Sequence, residues 1–194
     1  MLAIIVLMVT VVLANTHDGS IEAKVKISQS LILDTAKETR SKSIAVKQFT
    51  SAVFPSYGLD FDTSLPQQVI VYADCVPNDH AAIDPSDTIV DADDTFDYAH
   101  NDCGPSGNLV NKITLDENTK ISAIRATYPV NGVMQTFTET RADVLFLRPD
   151  PTLWITTSSG GLIPTGNIEI DVSDLGNKFI RTDIINSSGE ISEK

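Results

Sequence analysis

An aspartate-rich segment holds the densest cluster of chemically active side chains in this sequence. Between Asp74 and Asp102 there are nine Asp and no Lys, Arg or Glu. Within it, Asp91, Asp93, Asp97 and Asp102 fall at the first, third, seventh and twelfth positions of a twelve-residue calcium-binding loop. Carboxylates without basic partners repel one another, and a divalent cation would relieve that repulsion. The spacing therefore predicts a calcium site on these four residues.

The same segment also fits a solvated acidic loop without a metal. The sixth position of a calcium loop needs Gly for a sharp turn, and this sequence has Phe96 there. The twelfth position usually holds a bidentate Glu, whereas Asp102 has a shorter side chain. Both interpretations stay open, and no cofactor other than calcium is expected.

Two cysteines and three histidines complete the set of reactive side chains. Cys75 and Cys103 flank the acidic segment and would suit a disulfide that closes it, worth about 3 kcal/mol in loop entropy. Two free thiols remain the alternative, since spacing alone does not prove a bridge. His17, His80 and His100 lack the spacing of a zinc motif. Because P-loop, dinucleotide and nucleophile-elbow motifs are also missing, we expect no catalytic residues and no enzyme activity.

Composition limits the partners that the globular part can bind. The chain has 194 residues, a formal net charge of -12 and 42% hydrophobic residues, enough to build a core. The acidic balance disfavours nucleic acid as a ligand. The segment from Ser20 to Thr50 differs, with six basic and three acidic side chains.

The chain opens with an apolar run from Met1 to Ala14, and the first charged side chain is Asp18. No basic residue precedes the run and no A-x-A exit follows it, which argues against a secretory signal peptide. As a helix the run reaches about 21 Å, against the roughly 30 Å of a membrane's hydrocarbon core. We predict a membrane or filament helix whose assembly residues are Leu2, Ile4, Ile5, Val6, Leu7, Val9, Val11, Val12 and Leu13.

A second helical segment follows directly. From Ser20 to Phe54 there is neither Gly nor Pro. One face at helical spacing carries Ile21, Val25, Ser28, Ile32, Thr35, Ala36 and Thr39. We expect one helix from Leu2 to about Gln48, bent near Gly19, with its apolar half in residues 1–19 and its amphipathic half in residues 20–54.

After Pro55 the sequence changes to short β-type runs between turn residues. Asn131-Gly132 predicts a two-residue hairpin, Pro129 beside it favours an edge position, and Trp154 is expected in the core. The predicted strands are Tyr57–Asp62, Gln68–Ala73, Asn111–Leu115, Lys120–Thr127, Val133–Thr138, Asp143–Leu147, Thr152–Thr157, Asn167–Val172 and Lys178–Ile185.

These elements predict an α+β fold class. A long N-terminal helix, apolar in its first half, would pack on an antiparallel β-sheet domain at residues 55–194. The acidic loop at residues 74–108 would project from that domain, where loops present residues to partners.

Six segments, in this order, resemble the type IV pilin and pseudopilin family, most closely the H-type minor pseudopilins of type II secretion. None of them is a catalytic signature. They are IIVLMVTVVLAN (Ile4 to Asn15), KSIAVKQF (Lys42 to Phe49), YGLDFD (Tyr57 to Asp62), VIVYADC (Val69 to Cys75), VLFLRPDPTLWI (Val144 to Ile155) and KFIRTDIINSSGEI (Lys178 to Ile191).

The resemblance implies a pilin-like fold and a structural role. The chain would be a minor pilin or pseudopilin of a type IV pilus-like or type II secretion filament, assembling through its N-terminal hydrophobic helix. Its partners would be other pilin or pseudopilin subunits, the inner-membrane assembly machinery and, before assembly, membrane lipid. The subunit would cross the cell membrane once with its β domain outside the cytoplasm, and then join a cell-surface or periplasmic filament.

The family's basic leader and its G-F-T-L-I-E motif are absent from this sequence. The resemblance therefore implies a natural precursor with further residues before Met1, and the family's processing roles are carried to no residue here. Secretion, adhesion or motility, and DNA uptake all remain open. The alternative from another class is a membrane-tethered extracellular β-domain binding module whose acidic loop works with calcium.

Overall fold

The computed structural model describes residues 2–45, 55–74, 109–147, 153–158, 162–163 and 165–194, with backbone alone for 2–17, 74 and 162. Helix α1 spans Leu2–Ile44 and is followed by antiparallel strands. The strands are β1 Ser56–Asp62, β2 Gln68–Asp74, β3 Leu109–Thr114, β4 Thr119–Val130, β5 Val133–Glu139, β6 Arg141–Phe146, β7 Leu153–Thr157, β8 Leu162–Ile163, β9 Asn167–Asp174, β10 Ile180–Asn186 and β11 Ile191–Glu193.

The strands form two sheets. Sheet 1 has the order β3-β2-β1-β6-β7-β8, and sheet 2 has the order β11-β10-β9-β4-β5. The predicted α+β class is confirmed, and each of the nine predicted strands is present with its ends shifted by a few residues. Sequence analysis expected a single sheet and missed β8 and β11, which are too short to show a period-2 pattern.

Helix α1 is continuous through Gly19 and has 43 residues. It ends at Ile44, earlier than the predicted Gln48. Ala45 follows in a turn, and its amide donates to the Ser41 carbonyl at 2.9 Å. Residues 46–54 lie outside the described residues.

The inner face of α1 packs on both sheets. The predicted stripe is confirmed, since Val25, Ile32 and Ala36 are buried with the small polar side chains of the same face. The main hydrophobic core lies between this face and the sheets, where it includes Leu59 and Phe61 of β1, Val144 of β6, and Ile168, Ile170 and Val172 of β9. These strand residues alternate along their strands, so each strand turns one row of side chains toward the helix.

Buried hydrogen bonds fix α1 to each sheet. The Ser28 and Thr119 hydroxyls lie 2.8 Å apart, which joins the middle of α1 to the start of β4. Near the end of α1, Ser43 Oγ donates to the Phe146 carbonyl at 2.8 Å and accepts from the Tyr57 amide at 2.9 Å. The helix therefore holds sheet 2 by its middle and sheet 1 by its end.

The hairpin between β4 and β5 is confirmed. Asn131 and Gly132 both have positive φ, 53° and 78°, as a two-residue hairpin turn requires. β4 is an interior strand of sheet 2, so Pro129 is not on an edge strand. However, the pairing of β4 with β9 stops at Thr127, and Pro129 lies beyond it, where its missing N–H breaks no ladder.

Candidate functional site

The outer face of α1 is the candidate site. Ile27 is 65% exposed and Leu31 is 37% exposed, although both are large apolar side chains. Residues four apart lie one above the other on a helix, so Ala23, Ile27 and Leu31 form one row. A shallow, mainly apolar depression follows this row and is lined by Ala23, Lys26, Ile27, Ser30, Leu31 and Asp34, which we call the outer face.

A second depression continues along the last turns of α1. It is lined by Lys37, Arg40, Ser41, Ile44 and Ala45. Ile44 is 57% exposed there, and the flanking Lys37 and Arg40 give the depression a basic rim. The helix thus combines a buried inner stripe with exposed apolar residues on the opposite side.

Ion pairs hold the margins of the helix to its own sheets. Asp18 accepts from Lys178 at 2.5 Å, and Glu22 accepts from Arg181 at 3.1 Å. Lys24 lies 3.3 Å from Asp116, whose pKa is held below its usual range, first by the Asn118 amide and with further help from Lys24. These charges are paired within the chain itself, whereas Ile27 and Leu31 face away from its sheets.

A charged network covers the face of sheet 2 that points away from the core. Arg125 of β4 pairs with Asp171 and Glu169 of β9, with Nη2 to Asp171 Oδ1 at 2.8 Å and Nη2 to Glu169 Oε2 at 3.0 Å. The hydrogen bonds to Asp171 raise the pKa of the guanidinium above its usual range. Lys194, with help from Arg125, lowers the pKa of Glu169. With every charge matched, the network is a cross-strand clamp rather than a reactive centre.

A second buried charge cluster lies on sheet 1. Arg141 Nε donates to Asp60 Oδ1 at 2.9 Å, and its Nη2 lies 3.6 Å from Asp143 Oδ1. Asp60 and Asp143 face each other in the register of β1 and β6. Since the arginine sits between two facing carboxylates, the cluster neutralises charge that would otherwise repel across the ladder.

Sequence reasoning did not single out the apolar residues of the outer face or one buried acid. Ile27 and Leu31 fall off the inner stripe, and two apolar residues at i and i+4 on the polar side of a helix are a readable signal for a second interface. Asp183 of β10 is 0% exposed, and it shares the inward parity of Ile185. The alternation of Asp183 with more exposed neighbours along β10 indicates that its side chain points inward. Only the packing of α1 on β10 shows what that side chain faces.

The residues predicted to bind calcium and to form a disulfide lie outside the described part of the chain. This holds for the calcium candidates Asp91, Asp93, Asp97 and Asp102 and for the cysteines Cys75 and Cys103. His80 and His100 lie there too. The assembly residues from Leu2 to Leu13 have helical backbone in α1, as predicted, and their side chains are not described.

Within the described ranges, no group of three or more His, Cys, Asp or Glu side chains is placed to hold a metal ion. Over the same residues, no helix combines the length and the apolar character needed to cross a membrane. No protein-family model, curated protein or solved structure matches the chain. The outer face of α1 is therefore described from the geometry of this chain alone.

Proposed function

We propose that this chain is a structural subunit of a filament, a minor pilin or pseudopilin with a pilin-like fold, and that it assembles through helix α1. The observation that carries the proposal is the two-faced character of α1 over residues 18–44. Its inner stripe is buried on its own sheets, while Ile27 and Leu31 are presented outward. A helix that only covered a core would have a polar outer side.

The shape of α1 supports this role. Its 43 residues extend about 65 Å at 1.5 Å per residue, more than the described strands need for cover. The described side-chain contacts between α1 and the sheets run from Asp18 to Ser43. A helix of this length offers neighbouring subunits a continuous strip along which helices can pack.

The outer face is held in place by the contacts on its opposite side. Ser28 and Ser43 fix the inner face by buried hydrogen bonds, and three ion pairs tie the margins to the sheets. A preordered surface loses little conformational freedom when it binds, so more of the contact energy appears as affinity. Exposed apolar residues on such a surface are typical of interaction sites.

In this proposal the partners are copies or relatives of the same subunit and the membrane machinery that assembles them. The apolar run from Met1 to Ala14 would reside in lipid before assembly and pack with other helices afterwards. The subunit would be held in the cell membrane with its β domain outside the cytoplasm, and would end in a cell-surface or periplasmic filament.

The test replaces Ile27 and Leu31 together by Asp in the full chain. Both side chains are exposed, so folding should be unchanged, while two carboxylates next to Asp34 would oppose helix packing. The protein is transferred from detergent to buffer, and assemblies are quantified by sedimentation and negative-stain microscopy. We expect the unchanged chain to assemble and the variant to yield at least about tenfold less sedimenting material. A tenfold weaker association between subunits corresponds to about 1.4 kcal/mol.

The matched control is Val133→Asp in the β4–β5 hairpin. Val133 is 62% exposed, a fraction similar to the 65% of Ile27. It lies in β5 of sheet 2, away from the outer face of α1. We expect this control to assemble like the unchanged chain. Equal assembly by all three proteins, or no assembly by the unchanged chain, would contradict the proposal.

A further inference from the structure

Asp183 occupies an unusual place in the fold. It lies in the middle of β10, between Ile170 of β9 and Glu193 of β11 in the sheet register. Its side chain is 0% exposed and belongs to the same inward row as Ile185, under helix α1. From α1, the buried Gln29 reaches the same strand, where its Nε2 donates to the Thr182 carbonyl at 3.3 Å. Asp183 is therefore enclosed at the interface of α1 with sheet 2.

The carboxyl group of Asp183 has no hydrogen-bond partner of ordinary geometry among the described residues. Both of its oxygens are shielded from solvent and unpaired. An ionised carboxylate in such a place has lost its hydration without replacement, so the neutral acid is favoured. Burial raises the pKa of Asp183 to about 7, and the Gln29 amide opposes this only in part.

Two charged groups act on Asp183 from the elements around it. Glu193 of β11 raises the pKa further by like-charge repulsion, and Lys37 of α1 lowers it. The strand on the other side contributes the apolar Ile170. The two charges oppose each other, which leaves burial as the dominant cause.

We propose that Asp183 is a proton-operated switch for the seating of α1 on sheet 2, in which the neutral acid fits the interface and the ionised form loosens the helix. In the released state the carboxyl would be hydrated and would titrate near its usual value of about 3.9. Because its pKa is higher in the docked state, the neutral acid favours docking fully below about pH 4. That contribution is lost as the pH rises toward about 7.

The experiment measures backbone amide hydrogen exchange in the full chain between pH 5 and pH 8. After correction for the intrinsic pH dependence of exchange, protection of residues 25–37 should fall by roughly 50- to 100-fold, given tenfold per pKa unit. The Asp183→Asn variant keeps the shape of the neutral acid and cannot ionise. We expect its protection in the same segment to stay constant across this range.

Asp34→Asn is the matched control, because it makes the same substitution of Asp by Asn on the outer face of α1, away from Asp183. It should keep the pH dependence of the unchanged protein. Constant protection in the unchanged protein, or the same slope in Asp183→Asn, would overturn the proposal. If Asp183→Asn does not fold, the carbon-13 titration of the Asp183 carboxyl in the unchanged protein decides. A midpoint near 7 supports the switch and a midpoint below 5 refutes it.

Discussion

Gly58 and Tyr72 show how a single missing side chain decides packing at the scale of residues. They face each other in the register of β1 and β2. A Cβ placed on Gly58 would lie 2.3 Å from Cζ of the Tyr72 ring, which is 1% exposed. The ring therefore crosses over a position that only glycine leaves open.

We predict that Gly58→Ala destabilises the protein by about 2 kcal/mol, the usual size of an overpacking defect. The free energy of unfolding from urea titration followed by circular dichroism measures it. Gly19→Ala is the control, since nothing lies within 4 Å of a Cβ there and the residue is helical. That change should instead stabilise α1 by up to about 1 kcal/mol. Equal effects of the two substitutions would show that the Tyr72 ring moves aside freely.

At the scale of elements, α1 is attached to its sheets by a mixed interface. Apolar residues such as Ile32 alternate on the inner face with buried hydroxyls such as Ser28 and Ser43. Hydroxyls in a helix–sheet contact must find partners, because an unpaired buried group costs about 1–3 kcal/mol. Ser43 meets this need by bonding to β1 and β6 together. The end of α1 is positioned by these bonds as well as by hydrophobic burial.

We predict that Ser43→Ala lowers the free energy of unfolding by about 2 kcal/mol, because the Phe146 carbonyl and the Tyr57 amide would both lose a partner. Ser41→Ala has the same gain in helix propensity but removes an exposed hydroxyl. The difference between the two variants in thermal unfolding isolates the buried hydrogen bonds. If Ser43→Ala is as stable as Ser41→Ala, water or a small backbone shift satisfies these groups.

At the scale of the whole molecule, charge is distributed unevenly along the chain. The acidic segment leaves sheet 1 at the end of β2 and returns at the start of β3, and these strands pair with Tyr72 opposite Leu109. Tyr72 and Leu109 are therefore close together, and β3 is the edge strand of sheet 1 in the described part of the chain. This placement is compatible with the filament role and with the alternative of a calcium-dependent binding module.

We predict that millimolar calcium raises the melting temperature of the full chain. The rise should be several degrees if free calcium is about a hundred times its Kd, where binding adds about 2.7 kcal/mol to the free energy of unfolding. Asp93→Asn combined with Asp97→Asn should abolish the shift, because both are ligands of the proposed twelve-residue loop. Asp84→Asn with Asp87→Asn removes the same charge from the same segment outside that loop. A calcium shift that vanishes in both double variants would indicate screening of charge, and no shift at all would leave the acidic loop without metal.

Local patterns predicted much of this fold because their causes are local. Alternating side chains located the strands, and the positive φ tolerated by Asn131 and Gly132 located the hairpin. Helical spacing located the inner stripe from Val25 to Thr39. Sequence analysis did not separate the strands into two sheets, since pairing between distant strands leaves no mark within either one.

By itself, the sequence determined that a long helix precedes a β domain and which face of that helix is buried. These features follow from side-chain periodicity and backbone preference, which act over a few residues. Only the tertiary structure decided that α1 joins two sheets, that Ile27 and Leu31 remain exposed on its other side, and that Asp183 is enclosed with no hydrogen-bond partner of ordinary geometry among the described residues. Burial and pKa depend on what long-range packing brings to a residue, because water is excluded by neighbours that lie far away along the chain.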